Sequence, residues 1–193
     1  MNAVPRSAAS MWRAGVTQKV SIEKFGRWSD KRRISVIIKR PAVRAIILSP
    51  EDELLLLRIR SPEGGDWFWI TPGGGLEPGE TNESALRREL KEEVGLEYFL
   101  MGPLVWRRQH TFDWAGKRLC QYEEFHVVHV PRFEPHMSDA HEMHVLDRFR
   151  WWAVAELALA RERLTPLSLA EIVERYLAHG PPRELPKTEI LID

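Results

Sequence analysis

The sequence predicts a fold of mixed strands and helices, and three observations carry that expectation. Short β-prone runs recur from Ala42 to Trp152 along the 193-residue chain. One segment, Thr81 to Val94, leaves that pattern for a helical apolar spacing. A second helical segment, Leu167 to Leu177, is amphipathic.

The elements follow in order. Ile34 to Ile38 reads as a short strand, and Pro41 then starts a new strand or marks an edge. Ala42 to Leu48 and Leu54 to Ile59 form a hairpin through the turn residues Ser49-Pro50-Glu51-Asp52. Ser61 to Asp66 is a polar loop. Trp67 to Ile70 is aromatic and β-prone, and leads into Pro72-Gly73-Gly74-Gly75, which reads as irregular backbone that bends sharply or approaches something closely. Thr81 is the expected N-cap of the next helix, Glu83 favours its first turn, and Gly95 stops it. Leu104 to Phe112 and Arg118 to Val130 read as strands joined by Asp113-Trp114-Ala115-Gly116. Pro131 to His144 is irregular, Arg148 to Trp152 a short strand, and Ala153 to Ala160 a helix.

The length fits one domain, large enough to bury a core without disulfides. Cys120 is the single cysteine, read as a small strand residue, and a reducing, cytoplasmic compartment suits it. No run approaches the ~20 apolar residues of a membrane span, and the N-terminus lacks the apolar centre of a secretion signal, so no membrane partner is expected. The net charge is zero, but residues 1–44 hold eleven Lys or Arg against Glu23 and Asp30 alone. Residues 1–33 are therefore set apart as a basic extension, residues 34–180 as the domain, and residues 181–193 as a C-terminal tail. The arm is read as a solvated tail or as an element packing in a homodimer. RNA contact stays open but is not favoured, because no basic run exceeds Lys31-Arg32-Arg33.

The chemistry concentrates on the first helix. On a helical wheel Glu89, Glu92 and Glu93 fall within an arc of roughly 100°, beside an apolar stripe of Leu86, Leu90 and Val94. Like charges at these spacings repel. Arg88 and Lys91 offset part of the repulsion, and a divalent cation offsets it better, since clustered carboxylates suit Mg²⁺, Mn²⁺ or Ca²⁺. The glycine loop just before the helix can offer amides to phosphate and carbonyls to a metal. Glu80 lies where Arg88 can donate to it and brace loop against helix.

Gly74, Glu80 and Arg88-Glu89-Leu90-Lys91-Glu92-Glu93-Val94-Gly95-Leu96 together reproduce the signature of the Nudix hydrolase superfamily, which the chain resembles. The pattern is Gly, five residues, Glu, seven residues, Arg-Glu, an aliphatic, any residue, Glu-Glu, any residue, Gly, an aliphatic, and every fixed position matches. At residue frequencies of roughly 5–10% per position, a chance match is on the order of one in a billion per start site. The resemblance covers about Pro41 to Leu157. It implies an α/β/α sandwich around a central mixed β-sheet. It also implies a hydrolase that uses Mg²⁺ or Mn²⁺ to cleave a diphosphate bond. Glu92 and Glu93 become metal-ligand candidates with the Gly74 carbonyl, Glu89 a ligand or general base, and Arg88 and Glu80 braces. A further acidic ligand is expected from outside the signature, with Glu142 the first candidate beside Asp139, Asp147, Glu123 and Glu124.

For the rest of a nucleotide-like substrate, Arg44, Arg58 and Arg60 are phosphate-binding candidates alongside Gly73, Gly74 and Gly75. Trp67, Trp69, Phe112 and Trp114 are candidates for stacking on a base, and Gln109, His110 and Tyr122 are weaker ones. His126 and His129 are read as structural. The leading function is hydrolysis of a nucleoside diphosphate linked to another moiety. The alternatives are a nucleoside triphosphate or RNA 5′-end pyrophosphohydrolase and, in another class, a non-catalytic nucleotide-binding regulator. The complete carboxylate set argues against the last.

Overall fold

The computed structural model describes residues 37–61, 64–138 and 145–193. The basic extension, Glu142 and Asp139 lie outside the described residues. The elements are β1 (Ile37–Leu48), β2 (Glu53–Ile59), β3 (Phe68–Ile70), β4 (Gly73–Gly75), α1 (Asn82–Val94), β5 (Leu104–Trp114), β6 (Lys117–His129), β7 (Leu146–Ala153), α2 (Val154–Leu157), β8 (Arg163–Thr165), α3 (Leu169–His179) and β9 (Thr188–Ile192). No described helix is long and apolar enough to cross a membrane.

The strands form one mixed sheet in the order β8-β3-β2-β1-β6-β5-β9, with β4 also on β1 and β7 also on β2. β1 and β2 pair only beside their turn, at Leu48 and Leu54, and then splay apart. Past that point β1 runs parallel to β6 along its whole length and takes β4 on its other side. β2 instead takes β7 and β3. This splay opens the sheet beside the glycine loop.

Strand alternation divides the core into two layers. Val43, Ala45, Ile47, Leu55 and Leu57 face Ala85, Leu86, Leu90 and Val94 of α1. Ile46, Leu48, Leu54 and Leu56 point the other way, onto Val154, Leu157, Leu169, Ile172 and Val173 of α2 and α3. Burial on both faces explains why Leu54 to Leu57 is an uninterrupted apolar run. The result is the sandwich of helices around a mixed sheet that the sequence leads one to expect.

Several elements differ from the sequence reading. Pro41 does not divide two strands: β1 runs through it. Its carbonyl accepts from the Leu76 amide just where the β4 ladder ends, so the missing N–H falls where pairing stops. Gly73 to Gly75 are not irregular. They form β4, because the side of β1 that β2 leaves free offers Ala42, Val43 and Arg44 as backbone partners. The β5–β6 loop is only Ala115-Gly116, both at positive φ. The expected helix from Ala153 to Ala160 shortens to α2, and β8 follows it. Residues 181–193, set apart as a tail, supply β9, which pairs in parallel with Arg107 to Thr111 of β5.

Candidate active site

Helix α1 starts on a reciprocal cap. Thr81 Oγ1 accepts from the Ser84 amide, and Ser84 Oγ accepts from the Thr81 amide. It stops at Gly95, whose amide bonds the carbonyls of Leu90 and Lys91. These two ends fix where the helix starts and stops, and its apolar stripe sets which face turns to the sheet. The apolar stripe sinks into the sheet, and Glu89 and Glu93 go with it, at 0% and 1% exposure. Glu92, at the border of the stripe, stays half-buried.

The glycine strand meets those two carboxylates directly. The Gly73 amide donates to Glu93 Oε2 at 2.6 Å. Gly73 has φ of 121°, and a side chain there would collide with the Val43 carbonyl. A Cβ on Gly74 would stand 2.6 Å from the carboxyl carbon of Glu89. Both positions therefore need glycine, because backbone and buried carboxylates share one space.

Arg88 ties this assembly together. It donates to Glu80 at 2.8 and 2.9 Å, to Glu89 at 2.7 Å and to the Gly75 carbonyl at 3.1 Å, with Glu92 at 3.4 Å. The hydrogen bond from Arg88 holds the Glu80 carboxyl below its ordinary value, and Glu80 in turn raises the Arg88 guanidinium. The loop is thus clamped on the helix, as the spacing of Glu80 and Arg88 suggests.

Among the described residues, no group of three or more His, Cys, Asp or Glu side chains is arranged as a finished metal cage. The donor chemistry nevertheless fits a hard divalent cation: Glu89, Glu92 and Glu93 are oxygen donors, and the bare Gly74 backbone is pressed against Glu89.

The remaining candidates scatter. Arg44 is buried; its Nε donates to Glu123 at 3.2 Å, and Nη1 donates to the Gly73 and Thr71 carbonyls, the latter at 3.3 Å. Arg58 is engaged by two acids, Glu162 at 3.0 Å and Asp147 at 2.7 Å, which places one proposed phosphate contact against one proposed extra ligand. Arg60 is exposed and lies over the Trp67 ring, 4.6 Å from its centroid. Glu123 is enclosed by two arginines, and Glu124 bonds Asn82 and Arg107. Trp69 is core, edge-on to Trp152. His126 bonds the Gly102 carbonyl and His129 the Tyr176 hydroxyl.

A cavity of about 330 Å³ opens beside Arg44, lined by residues of β1, β2, β3, β5, β6 and β8. Phe68, Phe112 and Trp114 give it aromatic walls, and Arg108 and Glu123 continue the polar wall from Arg44. At its rim Asp193 accepts from His110 at 2.8 Å and from Arg163 at 3.1 Å, and its carbonyl accepts from Arg118 at 2.7 Å. Burial and Arg108 push the His110 imidazole down. The sequence reading missed Arg108, Arg163 and Asp193. Arg163 and Asp193 meet only because β8 and β9, the two ends of the sheet, come together across the opening.

Comparison with known proteins places this geometry. The NUDIX domain model matches residues 38–175. The 8-oxo-dGDP phosphatase NUDT18 of Homo sapiens is 49% identical over 55 residues, 28% of this chain and 16% of that protein. An octanoyltransferase of Myxococcus xanthus is 35% identical over 129 residues, 67% of this chain and 33% of that protein. The chain thus spans a third or less of the length of either relative. The solved NUDIX hydrolase from Nitrosomonas europaea superposes with a TM-score of 0.51 at 26% identity, covering 77% of this chain and 96% of that one. With the family model matched across both halves of the sheet and the whole of α1, the chain belongs to the NUDIX domain family.

Proposed function

We propose that this chain is a divalent-cation-dependent hydrolase that cleaves a diphosphate bond in a nucleoside diphosphate linked to a second moiety. The observation that carries the reading is the contact between the glycine strand and α1. Two buried carboxylates, Glu89 and Glu93, are held against Gly73 and Gly74: the Gly73 amide donates to Glu93, and Glu89 fills the space where a Gly74 side chain would stand. Glu89, Glu92 and Glu93, with the Gly74 carbonyl, are the oxygens that would hold Mg²⁺ or Mn²⁺. When bound, such an ion supplies charge neutralisation to a polyanionic diphosphate and lowers the pKa of a water.

The chain's own groups do the rest. Glu89 is the candidate to take the proton of the attacking water, since it is buried beside the glycine strand. Arg88 positions Glu89 and Glu80 rather than reacting. Arg44 lies on the cavity wall with Nε and Nη1 committed to Glu123 and the glycine strand, so what it would offer a phosphate is its positive charge. The aromatic walls of the cavity suit the flat, apolar face of a nucleoside.

The test is a panel of nucleotide sugars, dinucleoside polyphosphates, nucleoside di- and triphosphates including 8-oxo-dGDP, and triphosphorylated or capped RNA. Each is incubated with Mg²⁺ and with Mn²⁺. Hydrolysis of a diphosphate-linked nucleoside with release of a monophosphate supports the reading. Turnover of RNA ends alone moves the assignment to the RNA pyrophosphohydrolase alternative. Tight nucleotide binding with no turnover of any member overturns it in favour of a binding regulator.

A further inference from the structure

Glu123 and Arg108 stand directly opposite each other in the β5–β6 ladder. On the other side of β6, Glu123 lies opposite Ala42 of β1, so Arg44 reaches back along the strand to meet it. The carboxylate accepts from Arg108 at 2.6 Å and from Arg44 at 3.2 Å, and its side chain is fully buried. Burial alone would push Glu123 up, but Arg108 and Arg44 outweigh it and hold the group ionised.

A buried triad of this kind is a poor way to stabilise a sheet. Apolar side chains of the same volume usually do as well or better, because desolvating the charges cancels most of their attraction. What the triad supplies is direction. Arg44 is the Cα partner of Gly73 in the β1–β4 ladder, and its Nη1 donates to the carbonyls of Thr71 and Gly73. The amide of the same Gly73 donates to Glu93. One continuous line therefore runs from Arg108 through Glu123, Arg44 and Gly73 to Glu93. Removing the negative charge at its centre leaves two buried guanidinium groups facing each other, and Arg44 loses the one carboxylate that holds its Nε while Nη1 donates to the glycine strand.

We propose that Glu123 is a positioning residue: by anchoring Arg44 it fixes Gly73, and through the Gly73 amide it sets the aim of the Glu93 carboxylate. The relay also joins the cavity to the carboxylate cluster, since Arg108, Glu123 and Arg44 form the cavity's polar wall. One carboxylate against two guanidinium groups leaves the triad with a net positive charge on that wall, where an anionic ligand meets it.

The test uses the full chain carrying Glu123→Gln, and its primary readout is amide hydrogen exchange at Gly73. The expected result is a loss of Gly73 protection of about 10-fold or more, with the amides of β2 unchanged. A Val127→Ala protein, destabilised from the core instead, should show no selective loss at Gly73. This readout stands without any substrate. It therefore separates failure of this inference from failure of the hydrolase reading, on which only the kinetic arm rests. In that arm kcat per folded molecule falls about 10- to 100-fold while KM stays within about threefold. Should Glu123→Gln not fold, Arg44→Lys takes its place. A single ammonium cannot span Glu123 and the Gly73 carbonyl, so the same selective loss is expected. Unchanged Gly73 protection in a folded variant overturns the proposal, as does a loss spread evenly over β1 and β6.

Discussion

The glycine strand with α1 and the cavity beside Arg44 meet at Gly73 but carry opposite charge. On the first side, Glu89, Glu92 and Glu93 crowd together, with Arg88 as the cation among them. On the second, Arg44, Arg108, Arg118 and Arg163 line the space against Asp113, Glu123 and Asp193. A carboxylate-rich surface attracts a metal cation, and a guanidinium-rich one attracts a phosphate. A diphosphate bound with its cation needs both within a few ångströms of each other. The splay of β1 from β2, filled by the glycine strand, is what lets them adjoin.

The largest effect is expected where the glycine strand touches α1. Gly74→Ala puts a methyl group into the Glu89 carboxylate. The carboxylate must move, so hydrolysis should fall by about 100-fold or more, by analogy with a lost general base. Overpacking of this kind costs about 1–3 kcal/mol, so the protein should still fold. Steady-state rates alongside thermal melts would show this, and full activity in the alanine variant would mean that the Gly74–Glu89 contact is irrelevant to the chemistry.

A smaller effect is expected at the cavity rim. Asp193→Asn removes a carboxylate that Arg163 and His110 now hold. The cavity becomes more positive, so KM for a polyanionic substrate should drop by about threefold at low salt and the difference should shrink as salt is added. A rise in KM would mean that Asp193 contacts the ligand favourably rather than competing for its counter-charges.

These two expectations differ in how far their residues could be read along the chain. The carboxylate cluster lies within one helix, so its periodicity and the preceding glycines expose it. The clamp between Glu80 and Arg88 was legible for the same reason. The cavity draws Arg44, Arg108, Glu123, Arg163 and Asp193 from five separate stretches, brought together only by sheet order. Arg58 and Arg44 look alike in the sequence, each in an apolar strand. Arg58 meets Glu162 and Asp147 near the surface, whereas Arg44 reaches Gly73, a difference set by which strand each has for a neighbour. β8 and β9 were invisible because they are short edge strands whose partners are distant: β8 pairs with β3, and β9 with β5. Pro41 and the three glycines misled because local chemistry argued against a ladder that tertiary pairing then supplied.

The smallest expected effect concerns acid. The Glu123 carboxyl is held below its usual value of 4.5 in the folded protein. A depressed carboxylate contributes stability above its unfolded value and loses it as pH falls through the folded one. Denaturation midpoints should therefore fall as the pH drops below 4.5, and Glu123→Gln should show a shallower fall. Parallel curves for the two proteins would mean that the triad does not contribute through charge.

The buried carboxylates on α1 are proposed to serve a metal-dependent hydrolysis. Its most direct measurement is the Mg²⁺-dependent turnover of the best substrate from the panel by the parent chain and by Glu93→Gln, at matched folded fraction. A loss of about 100-fold or more in kcat is expected for the variant, on the scale of a removed catalytic carboxylate. Undiminished Mg²⁺-dependent turnover by Glu93→Gln would contradict it.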